Sequence, residues 1–224
     1  MLAKHSMMAA LAFGALLVSG CTADVPNPFA SFESRCAKLP AARYDVVAVP
    51  FAIREVDTAD IHELTDRSGA SFAQHRTYGL TTVAFGHETQ TELRVLEERG
   101  SGRTCATPHV TVRVSMQPVV VYIARELRGD TCRYAATRAH EMQHVAVFRA
   151  ELADATRELR AQLAAQVGTQ ILHGPSAAEL NRRYETRLRE YLSTFMRARH
   201  DALNARQAQL DTPEEYAKVG AGCQ

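Results

Sequence analysis

No stretch of this 224-residue chain has the roughly 18 consecutive apolar residues that a membrane-spanning helix needs. The apolar run Met7 to Val18 is too short, which disfavours a permanent transmembrane anchor. Neither charge is in excess. Lys and Arg number 26 against 25 Asp and Glu, and Lys4 is the one charged residue among the first twenty, so beyond it the signs balance at 25 each. A nucleic-acid footprint needs a strong basic excess or stripe, so no nucleic acid is expected as a partner. Cysteine is scarce, five in all, and no two are spaced as CxxC, which disfavours a cysteine zinc site. No Gly/Ser or Pro linker, internal repeat or low-complexity tract divides the chain, so one domain with a real core is expected.

The N-terminus has the layout of a signal peptide: Lys4, the apolar run, then Ser19-Gly20-Cys21. Val18-Ser19-Gly20-Cys21 resembles the bacterial lipobox, which implies removal of residues 1–20 and acylation of Cys21. More than one acyl chain would hold the protein stably at a membrane. Thr22 stands where some lipoproteins carry an inner-membrane retention Asp, so the resemblance implies a cell-envelope protein, lipid-anchored at the outer membrane of a Gram-negative bacterium. Residues 21–43, with Pro26, Pro28 and Pro40, read as lipidated N-terminus and tether, and 44–224 as the folded domain. With Cys21 assigned to lipid, four cysteines remain. An oxidising compartment favours two disulfides among three possible connectivities, and Cys105 with Cys132 and Cys36 with Cys223 are the favoured pairs.

Tyr44 to Val49 is rich in β-branched residues and predicts a strand, and Thr58 to Arg67 predicts a helix with Thr58 as its cap. Thr77 to Phe85 and Thr91 to Leu96 are further strand candidates. Val110, Val112, Val114 and Met116 alternate with polar residues, and after an interruption at Pro118 the pattern resumes through Ile123. From Asp130 or Thr131 the period becomes helical as far as Val167-Gly168. Gly174-Pro175-Ser176 punctuates it, and a second helix should run from Ala177 to Leu210. Asp211-Thr212-Pro213 looks like the cap of a short last helix. The expected class is α+β: a small, mostly antiparallel sheet, then a long antiparallel helical hairpin.

The first long helix carries His140-Glu141-Met142-Gln143-His144. Histidines four apart share one helical face and can converge on a single ion. Glu141, beside the first, is placed to take a proton from a metal-bound water rather than to bind the metal. This HExxH helix after a sheet resembles the zincin metallopeptidases. The wider arrangement, a cysteine-bearing β segment before the motif and a helical tail after it, is similar to secreted bacterial zinc-dependent protease families. The resemblance implies Zn2+ as cofactor, with Val110 to Met116 as a strand that could pair with extended substrate.

The sequence departs from the metzincin pattern, because Val145 to Glu151 holds no third His. Glu151 lies about 10 Å beyond His144 along the axis, so it is expected at the surface or behind the ligands. If the hairpin turns near residue 172, positions 198–204 come opposite the motif. His200 is then the third ligand, Asp201 the next choice, and Glu185 and Glu190 the fallbacks. His75, His87, His109 and His173 read as solvated. The chain is thus expected to be a lipid-anchored zinc metallopeptidase acting on a polypeptide, or by the same chemistry on a peptidoglycan amide. The alternative is a non-catalytic envelope lipoprotein whose motif is vestigial or structural and whose hairpin binds a partner.

Overall fold

The computed structural model describes residues 30–69 and 76–223, so the signal segment, Cys21 and His75 lie outside the described residues. In chain order the elements are α1 (Phe32–Cys36), β1 (Arg43–Val49), β2 (Ile53–Val56), α2 (Ile61–Ser68), β3 (Gly79–Glu97), β4 (Thr104–Ile123), a 3-10 turn (Arg125–Gly129), α3 (Thr131–Val167), β5 (Leu172–Gly174), α4 (Ala177–Ala208) and α5 (Pro213–Ala221). The class is α+β. The folded unit begins at Phe32 rather than near Tyr44. Phe32 and Cys36 of α1 are buried with Cys105, so the last part of the expected tether belongs to the domain. The cap of α2 is Asp60, not Thr58; its carboxylate accepts from the Glu63 N–H at 2.8 Å.

The sheet is organised on β4, whose alternation buries Val110, Val112, Val114 and Met116 completely. β3 pairs antiparallel with it along its whole length, from Gly79 opposite Ile123 to Glu97 opposite Thr104. The other side of β4 is shared in turn by β5 (antiparallel), β1 and β2 (both parallel). The long ladder keeps the sheet mostly antiparallel, but it is mixed. Pro118 does not divide β4. It has no N–H to give the ladder, and the register steps there, with Val83 opposite Val119 and Phe85 opposite Met116, so the residue is absorbed in a bulge. The two expected strands within 77–96 are likewise one. Because Val110 to Met116 is flanked on both sides, it has no edge to offer a substrate. Edges belong to the outer strands: β3 on one side of β4, and β5, β1 and β2 on the other, each pairing with β4 alone among the described residues.

Helix α3 starts where expected, with the Asp130 carboxylate accepting from the Arg133 N–H at 2.9 Å. Val145, Phe148, Leu152 and Leu159 of α3 and Tyr184, Leu188, Leu192 and Leu203 of α4 join the β4 residues in one core. Each such fully buried aliphatic side chain stabilises the fold by about 1.5–3 kcal/mol. The two helices run antiparallel: Gln162 meets Tyr191, Glu151 meets Arg199, and His144 meets Gln207. Glu151 is not at the surface. It is completely buried, paired with Arg199 at 2.5 Å and Arg206 at 3.1 Å.

The four remaining cysteines form two disulfides, but the partners are Cys36 with Cys105 and Cys132 with Cys223. The expected Cys105–Cys132 pair is ruled out by the length of β4. Cys105 sits near its start and Cys132 follows its far end, and a strand of 20 residues spans about 60 Å. A disulfide requires Cα atoms within about 7 Å. The bridge at Cys132 therefore ties α5 to the first turn of α3, and the bridge at Cys105 ties α1 to the opposite end of the sheet.

Candidate metal centre

The motif occupies the third and fourth turns of α3, and His140, Glu141 and His144 are buried while Gln143 is exposed. His140 Nε2 and His144 Nε2 lie 3.3 Å apart, both on the face turned toward the end of α4. The third group there is Asp211, in the turn between α4 and α5. Its Oδ1 is 3.4 Å from His140 Nε2 and 3.2 Å from His144 Nε2. One donor atom from each residue falls within a 4.8 Å set. Four ligands held tetrahedrally about 2.0–2.1 Å from an ion are separated by about 3.3 Å, so the observed spacings are those of three corners of such a site. Two imidazoles and a carboxylate form a donor set that suits zinc and similar divalent ions.

Local sequence explains how Asp211 gets there. Thr212 is the cap of α5, accepting from the Glu215 N–H at 3.3 Å, and Pro213 opens the helix. The cap role falls on Thr212, so the Asp211 carboxylate is left to turn inward. Tyr216, one turn into α5, donates to Asp211 Oδ1 at 2.8 Å and stacks obliquely on His140 with centroids 5.5 Å apart. Burial raises the Asp211 carboxyl, but hydrogen bonds to His140, His144 and Tyr216 outweigh it and hold the group well below the usual carboxylate range. Burial and the adjacent Asp211 carboxylate push the Tyr216 phenol up. For His144, burial opposes protonation, yet its contacts with Asp211 and Gln207 leave it more basic than a free imidazole.

Glu141 faces the start of β3. Its Oε2 accepts from Thr81 Oγ1 at 2.7 Å, and the same hydroxyl lies 3.3 Å from the Glu141 carbonyl. Gly79 makes this approach possible. A Cβ there would fall 2.8 Å from Glu141 Cγ and 2.7 Å from Thr137 Cγ2, inside contact distance. Burial pushes the Glu141 carboxyl up; the Thr81 hydrogen bond and the neighbouring imidazoles pull it back only in part. If Glu141 acts as a base, Thr81→Val should lower hydrolysis about tenfold or more, the worth of a hydrogen bond to a charged group. The acid limb of the rate profile should also move to higher pH, because the carboxylate loses its donor. Thr81→Ser should restore both in a steady-state assay across pH.

His200, expected as the third ligand, is exposed, with Nδ1 3.2 Å from Asn204 one turn on. Asp201, Glu185 and Glu190 are exposed as well and stand outside the cluster. The error is one of register. Gln162 opposite Tyr191 and His144 opposite Gln207 centre the hairpin near residue 176, not 172, because 172–174 is spent on β5. Carried on to His140, that register arrives at 211, just past the end of α4. A cue was present in the sequence, where Asp211 precedes a Thr-Pro cap that does not need it. His109 pairs with Asp45 at 3.0 Å, and His87 and His173 do not join the cluster. No family model, curated protein or solved structure matches this chain.

Proposed function

We propose that this protein is a zinc-dependent peptidase that holds its ion with His140, His144 and Asp211 and uses Glu141 as the general base. The observation that carries the reading is the convergence of three donor atoms at tetrahedral spacing, beside a buried carboxylate on the same helix. When bound, zinc supplies Lewis acidity, making a water easier to deprotonate and a carbonyl easier to attack. Glu141 takes the proton as the water oxygen bonds to the carbonyl carbon. It then returns that proton to the amine nitrogen as the C–N bond breaks, leaving a carboxylic acid and a free amine. Thr81 and Gly79 hold the Glu141 carboxylate, and Tyr216 holds that of Asp211.

The free edge of β3 begins at Gly79 and Thr81, the residues that touch Glu141. An extended polypeptide added to that edge would run past the base, which favours a polypeptide substrate over a peptidoglycan amide. The two disulfides fit an exported protein. Acylation at Cys21 and attachment to the outer membrane complete the proposal, and among the described residues no helix is long and apolar enough to cross a membrane.

The test is zinc content after dialysis against metal-free buffer. The purified protein should retain about one zinc per chain, while His144→Ala and Asp211→Ala should each weaken binding by more than about 100-fold, since removing a ligand costs more than removing its support. A protein that takes up no zinc even when it is offered back would defeat the peptidase reading and leave an anchored partner-binding protein.

A further inference from the structure

We propose that Gln207 is a positioning residue whose side-chain amide selects the His144 tautomer that leaves Nε2 free for a cation. The inference rests on the metal-centre reading above. The amide has two unlike ends, and His144 offers a group to each. Gln207 Nε2 lies 3.3 Å from the His144 backbone oxygen. A carbonyl oxygen only accepts, so this end of the amide must be the NH2 group. The reversed assignment would set oxygen against oxygen. The other end, Oε1, is then an acceptor, and it meets His144 Nδ1. An acceptor bonds to a ring nitrogen only where that nitrogen carries a proton. Asp211 Oδ1 also accepts, at Nε2 3.2 Å away, so the doubly protonated ring spans both acceptors; an ion at Nε2 would displace the proton there, while Gln207 keeps the one on Nδ1. Nε2 is the atom that faces His140 Nε2 and Asp211 Oδ1.

The same residue also reaches the third donor through its backbone. Gln207 stands one residue from the end of α4, and its carbonyl accepts from the Leu210 N–H at 2.9 Å. That turn delivers Asp211. One glutamine therefore fixes the ring orientation of one donor and the chain path of another. Its side-chain bonds are the kind of support that a metal-binding histidine takes at its second nitrogen, supplied here by a neutral amide rather than a carboxylate.

The experiment measures zinc affinity by competition with a chromophoric chelator, for the purified protein and for Gln207→Leu and Gln207→Glu. Ring-nitrogen NMR of His144 with zinc bound locates the remaining ring proton. Leu fills similar space with neither polar end, whereas Glu keeps an acceptor for Nδ1–H but sets its second oxygen against the His144 carbonyl. Gln207→Leu should bind zinc about 10–100-fold more weakly, and Gln207→Glu should recover part of that loss. The wild-type ring proton should sit on Nδ1. Equal affinity in the Leu variant, equal weakness in both variants, or a ring proton on Nε2 overturns the assignment of Gln207. If the Leu variant fails to fold, the Glu variant and the wild-type tautomer still decide. Wild-type protein that binds no zinc at all overturns the metal centre beneath it, a different result from an unchanged Leu variant.

Discussion

Glu141→Gln is expected to lower peptide hydrolysis by about 10²–10⁴-fold, the usual contribution of a general base, with zinc still bound. The two side chains are nearly isosteric, which matters at a position that leaves no room for a Cβ on Gly79. The amide oxygen can still accept from Thr81, so the local packing should hold. What the variant loses is the ability to accept a proton from water and return it to the amine. Zinc should stay because the three converging donors are His140, His144 and Asp211, and Glu141 is not among them. Turnover of a fluorogenic peptide library, with metal content measured on the same samples, decides this. Undiminished turnover removes Glu141 from the mechanism, and loss of zinc along with activity makes it a ligand instead.

Glu151→Ala should destabilise the protein by about 3 kcal/mol, the lower end of the cost of breaking a buried ion pair. The carboxylate is fully buried and meets Arg199 and Arg206 of α4. Removing it leaves Arg199, whose side chain is only 16 % exposed, with Glu158 alone at 2.9 Å. That remaining partner is why the low end applies. The midpoint of thermal unfolding should fall by roughly 6–12 °C for a domain of this size. Glu158→Ala is the control. Glu158 is 40 % exposed, so its loss should cost no more than about 1 kcal/mol. A Glu151 variant as stable as the Glu158 variant would show that apolar packing alone sets the α3–α4 register. The clamp bears on the metal centre too, since Arg206 is adjacent to Gln207 and five residues before Asp211.

Much of the site was legible because it depends on spacing within one helix. His140 and His144 share a face whatever surrounds α3, with Glu141 beside the first of them, and the structure buries all three. The helices of the hairpin were readable for the same reason: their apolar residues recur at helical period, and Asp130, Thr212 and Pro213 punctuate them. Readings that failed span the fold. Glu151, placed by its distance from His144 at the surface or behind the ligands, is fully buried, and two arginines about 50 residues away make that burial tolerable. Thr81 and Gly79 looked like ordinary strand residues, and only the packing of α3 on β3 shows that one supports Glu141 and the other makes room for it.

Local chemistry alone therefore determined the existence of the strands and helices, the pair of histidines with their glutamate, and an even set of cysteines. Each follows from interactions within a few residues, or from a count. Which cysteines pair, which strand is flanked on both sides, and that Asp211 rather than His200 completes the cluster were decided by tertiary structure. Those outcomes depend on the full length of β4 and on the register of two helices joined through β5. A shift of a few residues in either turns a facing side chain toward solvent. Long-range register is set by the summed packing of the whole core, and no short stretch of sequence contains that sum.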